Sequence, residues 1–245
     1  MKIGIMSMQR IINYGSFLQA YALSNIIKNL GHTVEFVDFK IDPCIVKPYT
    51  PTQEKDVPKE YINYFYELKK FEEIFKTEYL KELGISKRNE RPQLDTLIIG
   101  SDEVFNCLQD NSDVGYSLEL FGKNNNAKKL ITYAASCGST TVDGIKKHNK
   151  ETEISELLNK FDCISVRDDN TKTFIESLSN IKPSKHLDPV LIYDFSHVTR
   201  NNVKLKDYII VYSYSFNISA EESLHIKKFA KKHNKKIVSI GTYQT

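Results

Sequence analysis

The chain has 245 residues, 34 of them basic and 31 acidic, for a formal net charge of +3. So small an imbalance gives no global field that would favour nucleic acid or an anionic membrane, and any anion site must be local. An apolar content of 40%, with 14 Tyr and 13 Phe to fill a core, is that of an ordinary globular chain, so disorder is not the default.

Residues 2–6 form a compact apolar strand that runs into a helix where Leu23, Ile26, Ile27 and Leu30 recur at i, i+3, i+4 and i+7. Gly31 ends that helix, and residues 33–39, rich in Val and Phe, form a second strand. Strand, helix, strand in this order demands a parallel pair, so the opening is Rossmann-like. Residues 41–58 carry Pro48, Pro51 and Pro58 and predict an exposed excursion. Residues 61–83 follow with Tyr64, Leu68, Phe71, Phe75 and Tyr79 at the spacing of a long amphipathic helix.

Strands at 94–99 and 129–134 both stop in small polar residues, Gly100-Ser101-Asp102 and Ala135-Ser136-Cys137-Gly138. Ile154, Leu157, Leu158 and Phe161 mark a helix, residues 163–166 a strand, and Thr171, Phe174, Ile175 and Leu178 another helix. A last strand is predicted at 186–192, with Asp188-Pro189 at its turn, closing a first domain over 1–195. After a polar linker at 196–206, a strand at 208–212, a helix at 220–232 and a strand at 236–240 open a second α/β domain over 203–245. A unit of about 35 residues buries too little surface to stand alone, so that domain is expected to be incomplete. The run Lys227, Lys228, Lys231, Lys232, Lys235 and Lys236 predicts the solvated face of the last helix and its exit.

Ligands of parallel α/β sheets bind outside the carboxyl ends of strands, which singles out four turns. In Asn13-Tyr14-Gly15-Ser16 the glycine permits close backbone approach and the helix that follows offers amides to an anion; the alternative is that Asn13 or Ser16 is a helix N-cap. Gly100-Ser101-Asp102-Glu103-Val104-Phe105-Asn106 gathers two acids and an amide beside a permissive glycine. The small residues at 134–138 would let a ligand lie against the backbone, and Cys137 there is either a nucleophile or a packed thiol. In Ser165-Val166-Arg167-Asp168-Asp169, the planar fork of Arg167 suits phosphate or carboxylate, with a surface ion pair as the alternative. Phosphate-loop, dinucleotide, nucleophile-elbow and zincin motifs do not occur in the sequence.

Read together and in order, Asn13-Tyr14-Gly15, Leu18-Gln19-Ala20-Tyr21-Ala22-Leu23, Gly100 to Asn106, Tyr133-Ala134-Ala135-Ser136, Ser165-Val166-Arg167 and Asp188-Pro189 resemble the polysaccharide pyruvyl transferase family. The resemblance implies two Rossmann-like domains facing each other as in GT-B glycosyltransferases, with the active site in the cleft. It implies transfer of a pyruvyl group from phosphoenolpyruvate, the donor substrate, to two hydroxyls of a sugar. The ketal product belongs to a cell-surface polysaccharide or its lipid-linked oligosaccharide precursor, and no separate cofactor is required. Arg167 matches the family's first-domain arginine and would grip the donor as the catalytic residue. Asn13, Tyr14, Gly15 and Ser16, with Ser101, Asp102, Asn106 and Ser136, would bind substrate. The family's second-domain histidine has no counterpart within 203–245, since His225 and His233 do not match its motif. A nucleotide-sugar-dependent glycosyltransferase of the same architecture and an inactive truncated binding protein are the competing readings.

Compartment and metal use complete the expectations. Cys44, Cys107, Cys137 and Cys163 form no C-x-x-C pair, so neither a zinc knuckle nor a redox dithiol is expected. No metal is called for, since Asp102, Glu103, Asp168 and Asp169 have turn and capping explanations. A signal peptide and a run of ~18 apolar residues are both missing from the sequence, so a cytoplasmic protein is expected, with peripheral association at a membrane still open to it.

Overall fold

The computed structural model describes residues 1–48, 62–198, 205–213 and 218–241. They fall into two compact units, Met1–Tyr193 and Asp194–Thr245. Pro51, Pro58, Tyr61 and residues 199–204 of the expected linker lie outside the described residues, as do the side chains of Tyr64 and Leu68.

The first unit is built on six parallel strands, β1 (Lys2–Met6), β2 (Thr33–Phe36), β3 (Leu94–Asp102), β4 (Ala127–Ala135), β5 (Ser165–Val166) and β6 (Ser184–Lys185), in the order β2-β1-β3-β4-β5-β6. Successive connections therefore leave β1 in opposite directions, toward β2 and toward β3. The crevice between the carboxyl ends of β1 and β3 is the topological switch point, where sheets of this kind bind ligands.

Alternation along the strands sorts side chains to two cores. Ile3, Ile5 and Ile98 meet Phe17, Ala20, Leu23 and Ile27 of α1 (Tyr14–Asn29), with Phe75 and Leu83. Met6, Leu97, Ile99 and Leu130 meet Phe105, Phe121, Ile145, Ile154, Leu158, Phe174 and Ile175 on the other face. Each of these side chains larger than alanine contributes about 1.5–3 kcal/mol on burial, so these two layers hold the sheet edge in place. The α1 stripe differs from its predicted form at one end: Leu23 and Ile27 are buried, whereas Leu30 is the exposed C-cap.

The long amphipathic helix is present as α2 (Ile62–Ile74), a π-helical turn (Phe75–Tyr79) and α3 (Leu80–Glu82). Its aromatic stripe packs on α1, with Phe75 stacked on Tyr79 and Phe71 4.6 Å from Tyr14. The other face carries α4 (Val142–Lys147), α5 (Glu151–Leu158) and α6 (Asp169–Leu178).

Three strand expectations need correction, the first being 33–39, which is a strand only over β2. Residues 186–192 are not a strand: after β6 the chain turns into the short helix α7 (Pro189–Ile192). The Asp188 carboxylate accepts the Val190 amide at 3.0 Å, and Pro189 supplies the fixed φ of a first helical residue. Val-Leu-Ile has no periodicity to separate a buried strand from one apolar helical turn. The strand expected at 163–166 is continuous only over β5, with Cys163 making an isolated bridge to Ile131.

The second unit pairs β7 (Tyr208–Ser213) and β8 (Lys236–Gly241) in parallel, from Tyr208 opposite Lys236 to Ser213 opposite Gly241. Their connection is α8 (Ala220–Lys232), started by a reciprocal capping box between Ser219 and Glu222. Lys227, Lys228, Lys231 and Lys232 are exposed, as the charge run predicts, and Lys235 pairs with Asp207 at 2.8 Å.

Candidate active site at the carboxyl edge of the sheet

At the switch point the β1 and β3 loops are tied together. The Ser7 hydroxyl donates to the Ser101 carbonyl at 2.9 Å, and the Gln19 amide donates to the Ser7 hydroxyl and the Ser16 carbonyl, both at 2.9 Å. The Ser16 hydroxyl then crosses the crevice to Asp102 Oδ2 at 2.7 Å. Gly100 lets β3 lie close against β4 at this edge: its φ is +112°, and a Cβ there would meet the Tyr133 carbonyl oxygen at 2.6 Å.

Asn13 is the N-cap of α1. Its Oδ1 accepts the Gly15 amide at 2.7 Å and the Ser16 amide at 3.2 Å, so the capping alternative describes this side chain and those two amides are already engaged. Tyr14 opens the helix and is 48% exposed, its ring supported by Phe71 and Tyr79. Burial and, secondarily, the neighbouring Tyr79 raise its phenol above the usual range.

Asn106 and Ser136 lie in a brace behind the crevice. Asn106 donates to Glu103 at 2.8 Å and accepts from Thr140 at 2.8 Å, while the Ser136 hydroxyl accepts the Gly138 amide at 3.0 Å. The Ser136 amide reaches the Asp102 carbonyl at 2.9 Å, and its carbonyl accepts the Phe105 amide at 2.9 Å. Among the expected site residues, Ser16, Ser101 and Asp102 thus converge, with Gly15 and Tyr14 at the rim and Asn106 and Ser136 as supports.

Arg167 follows β5, and its Nη1 donates to Asp188 Oδ2 at 2.9 Å. Arg167 is 29% exposed and Asp188 21%, and the rest of the guanidinium fork has no hydrogen-bond partner among the described residues. The ion-pair alternative is therefore present and still leaves donors free. Ser101 joins the two halves of the site, donating to the Ala134 carbonyl at 2.8 Å with Asp188 Oδ2 3.5 Å away. In the sequence Asp188 is visible only as part of the Asp188-Pro189 motif, and nothing local to it marks Arg167 as its partner.

Asp168 caps α6, accepting from the Thr171 amide and hydroxyl at 2.7 Å each. Burial works against its charge. The hydrogen bonds from Thr171 and Ser136, with the charge of Arg167, outweigh that and hold the carboxyl below its usual range. A depressed carboxyl contributes stability above the ordinary carboxylate range that is lost as pH falls through the folded-state value. Asp168→Ala is expected to cost about 1 kcal/mol near neutral pH, with the deficit shrinking in acid. Urea melts at the two pH values measure it, and a deficit that grows in acid would contradict the assignment.

Cys137 is buried, and burial pushes its thiol up to about 11 despite a hydrogen bond from Thr171. Burial likewise takes Cys107 up to about 12. The packed-thiol alternative follows for Cys137. A thiol reagent at neutral pH is expected to label exposed Cys163 and half-buried Cys44 rapidly, and Cys107 and Cys137 only on unfolding. Rapid labelling of Cys137, read by peptide mass mapping, would reopen the nucleophile.

Among the described residues no three His, Cys, Asp or Glu side chains gather as a cation site, and no helix is long and apolar enough to cross a membrane. A parallel sheet with helices on both faces and a polar crevice at its carboxyl edge defines a Rossmann-like α/β domain. The family model for polysaccharide pyruvyl transferase matches residues 13–244, nearly the whole chain, and the protein belongs to that family. Neither the curated proteins nor the solved structures include a significant match.

Proposed function

We propose that the protein transfers the pyruvyl group of phosphoenolpyruvate to two hydroxyls of a sugar, releasing phosphate and forming a cyclic ketal. The observation that carries this reading is Arg167, a half-buried guanidinium at the carboxyl edge whose fork is only partly used by Asp188. The donor brings a phosphate and a carboxylate, and planar bidentate donors are suited to both. As the methylene carbon takes a proton, C2 becomes oxocarbenium-like; the two hydroxyls add there and the C2–O bond to phosphate breaks, one hydroxyl proton balancing that taken by carbon and the other leaving on the phosphate. Fixed charge at the leaving oxyanion lowers the barrier because it needs no rearrangement during the reaction.

The Ser16 and Asp102 pair at the switch point offers the acceptor side a hydroxyl and a carboxylate, groups that suit sugar hydroxyls. The acceptor is a cell-surface polysaccharide or its lipid-linked oligosaccharide precursor, met by a cytoplasmic enzyme at the membrane surface. Four free cysteines fit such a reducing compartment. The test is phosphate release from phosphoenolpyruvate that depends on acceptor glycan. Transfer from a nucleotide sugar in its place would overturn the reading.

A further inference from the structure

The register of β5 and β6 places beside Arg167 a residue that the proposed function leaves unused. Val166 pairs with Lys185 and the His186 amide donates to the Val166 carbonyl at 2.9 Å, so Arg167 and His186 are the residues that directly follow the last paired positions of β5 and β6 and continue their register by one step. Paired positions on neighbouring strands share a face. Their contacts cross between the two segments: His186 Nδ1 lies 2.7 Å from Ser165 Oγ, and Arg167 Nη1 donates to Asp188 Oδ2 at 2.9 Å. The imidazole also lies parallel to the Tyr133 ring, with 7° between the planes and 5.9 Å between centroids.

The hydrogen-bond inventory of Ser165 decides the tautomer. Ser165 is 3% exposed and its Oγ accepts the Ala134 amide at 3.0 Å, so its own proton needs an acceptor. Nδ1 of His186 is the acceptor within reach among the described residues. The ring proton therefore sits on Nε2, which has no partner among the described residues and belongs to an exposed side chain.

We propose that His186 is a second anion ligand: its Nε2–H donates to the oxyanion, phosphoryl or carboxylate, that Arg167 binds. This rests on the reading of Arg167 as the donor-anion residue. A neutral donor beside a guanidinium adds direction without added charge, and Ser165 holds the ring in the donating tautomer.

Calorimetric titration of the full chain with phosphoenolpyruvate, inorganic phosphate and pyruvate tests it, with circular dichroism to verify folding. His186→Ala is expected to weaken phosphoenolpyruvate about tenfold or more, the range for a hydrogen bond to a charged group. His186→Gln, whose amide can stand near Nε2, is expected to keep most of the affinity. A parallel loss for phosphate assigns the phosphoryl group, and a parallel loss for pyruvate the carboxylate. Unchanged affinity in His186→Ala while Arg167→Ala loses binding would overturn this inference alone. Unchanged affinity in both variants, or no binding by the unaltered chain, would overturn the reading of Arg167 as well. Nitrogen NMR of the His186 ring gives an independent check, and a proton found on Nδ1 would contradict the Ser165 argument.

Discussion

Arg167→Ala is expected to lower pyruvyl transfer by about 10²–10³, the usual cost of removing one preorganised donor to a developing oxyanion. Two losses combine in this variant. The donor anion loses a charge-assisted fork, and Asp188 keeps its carboxylate at the same edge with its Nη1 partner removed. That uncompensated charge repels the incoming anionic donor, so Asp188→Asn added to Arg167→Ala is expected to recover part of the rate, a coupling typical of residues in contact. Arg167→Lys keeps charge but cannot hold Asp188 and a ligand through one planar group, and falls between. Steady-state kinetics with varied phosphoenolpyruvate measures all three; an Arg167→Ala enzyme within twofold of the unaltered protein would remove Arg167 from the reaction.

The second large effect is on stability. Phe105 is 0% exposed, stacked on Phe121 at 4.9 Å and edge-on to Phe161 at 6.2 Å, while its amide holds the Ser136 carbonyl. Phe105→Ala is expected to cost about 3–5 kcal/mol, the range for emptying an aromatic site in a core. Against a typical total of about 5–15 kcal/mol that is a large share. Phe105 also anchors the loop carrying Asp102 and Asn106, so the variant should lose activity under conditions where it is still folded. Urea denaturation followed by circular dichroism gives the cost, and a loss below about 1 kcal/mol would mean the cavity collapses freely.

Much of this architecture is legible in the amino-acid order. Strand and helix periods give the parallel sheet, and the polar residues after each strand mark its carboxyl edge. Asn13 is a good N-cap by residue type, and the choice between cap and anion loop needed only the position of its Oδ1. What local sequence does not hold is distance across the sheet. Ser16 and Asp102 meet from 86 positions apart, and Arg167 finds Asp188 across 21. β5 and β6 are two residues each, too short for any pattern to set a register, so the neighbours Arg167 and His186 were invisible. The segment 186–192 is ambiguous for the same reason, because three apolar residues after a proline fit a strand and a helical turn equally.

The central claim is chemical, and the product tests it most directly. Phosphoenolpyruvate labelled with carbon-13 at C2 is incubated with the protein and an acceptor glycan, and the glycan is isolated and examined by NMR. The account predicts label on a quaternary ketal carbon bonded to two sugar oxygens, with one phosphate released for each ketal formed, and loss of that signal in Arg167→Ala. Label recovered only as free pyruvate, or a ketal formed equally well without Arg167, would contradict it.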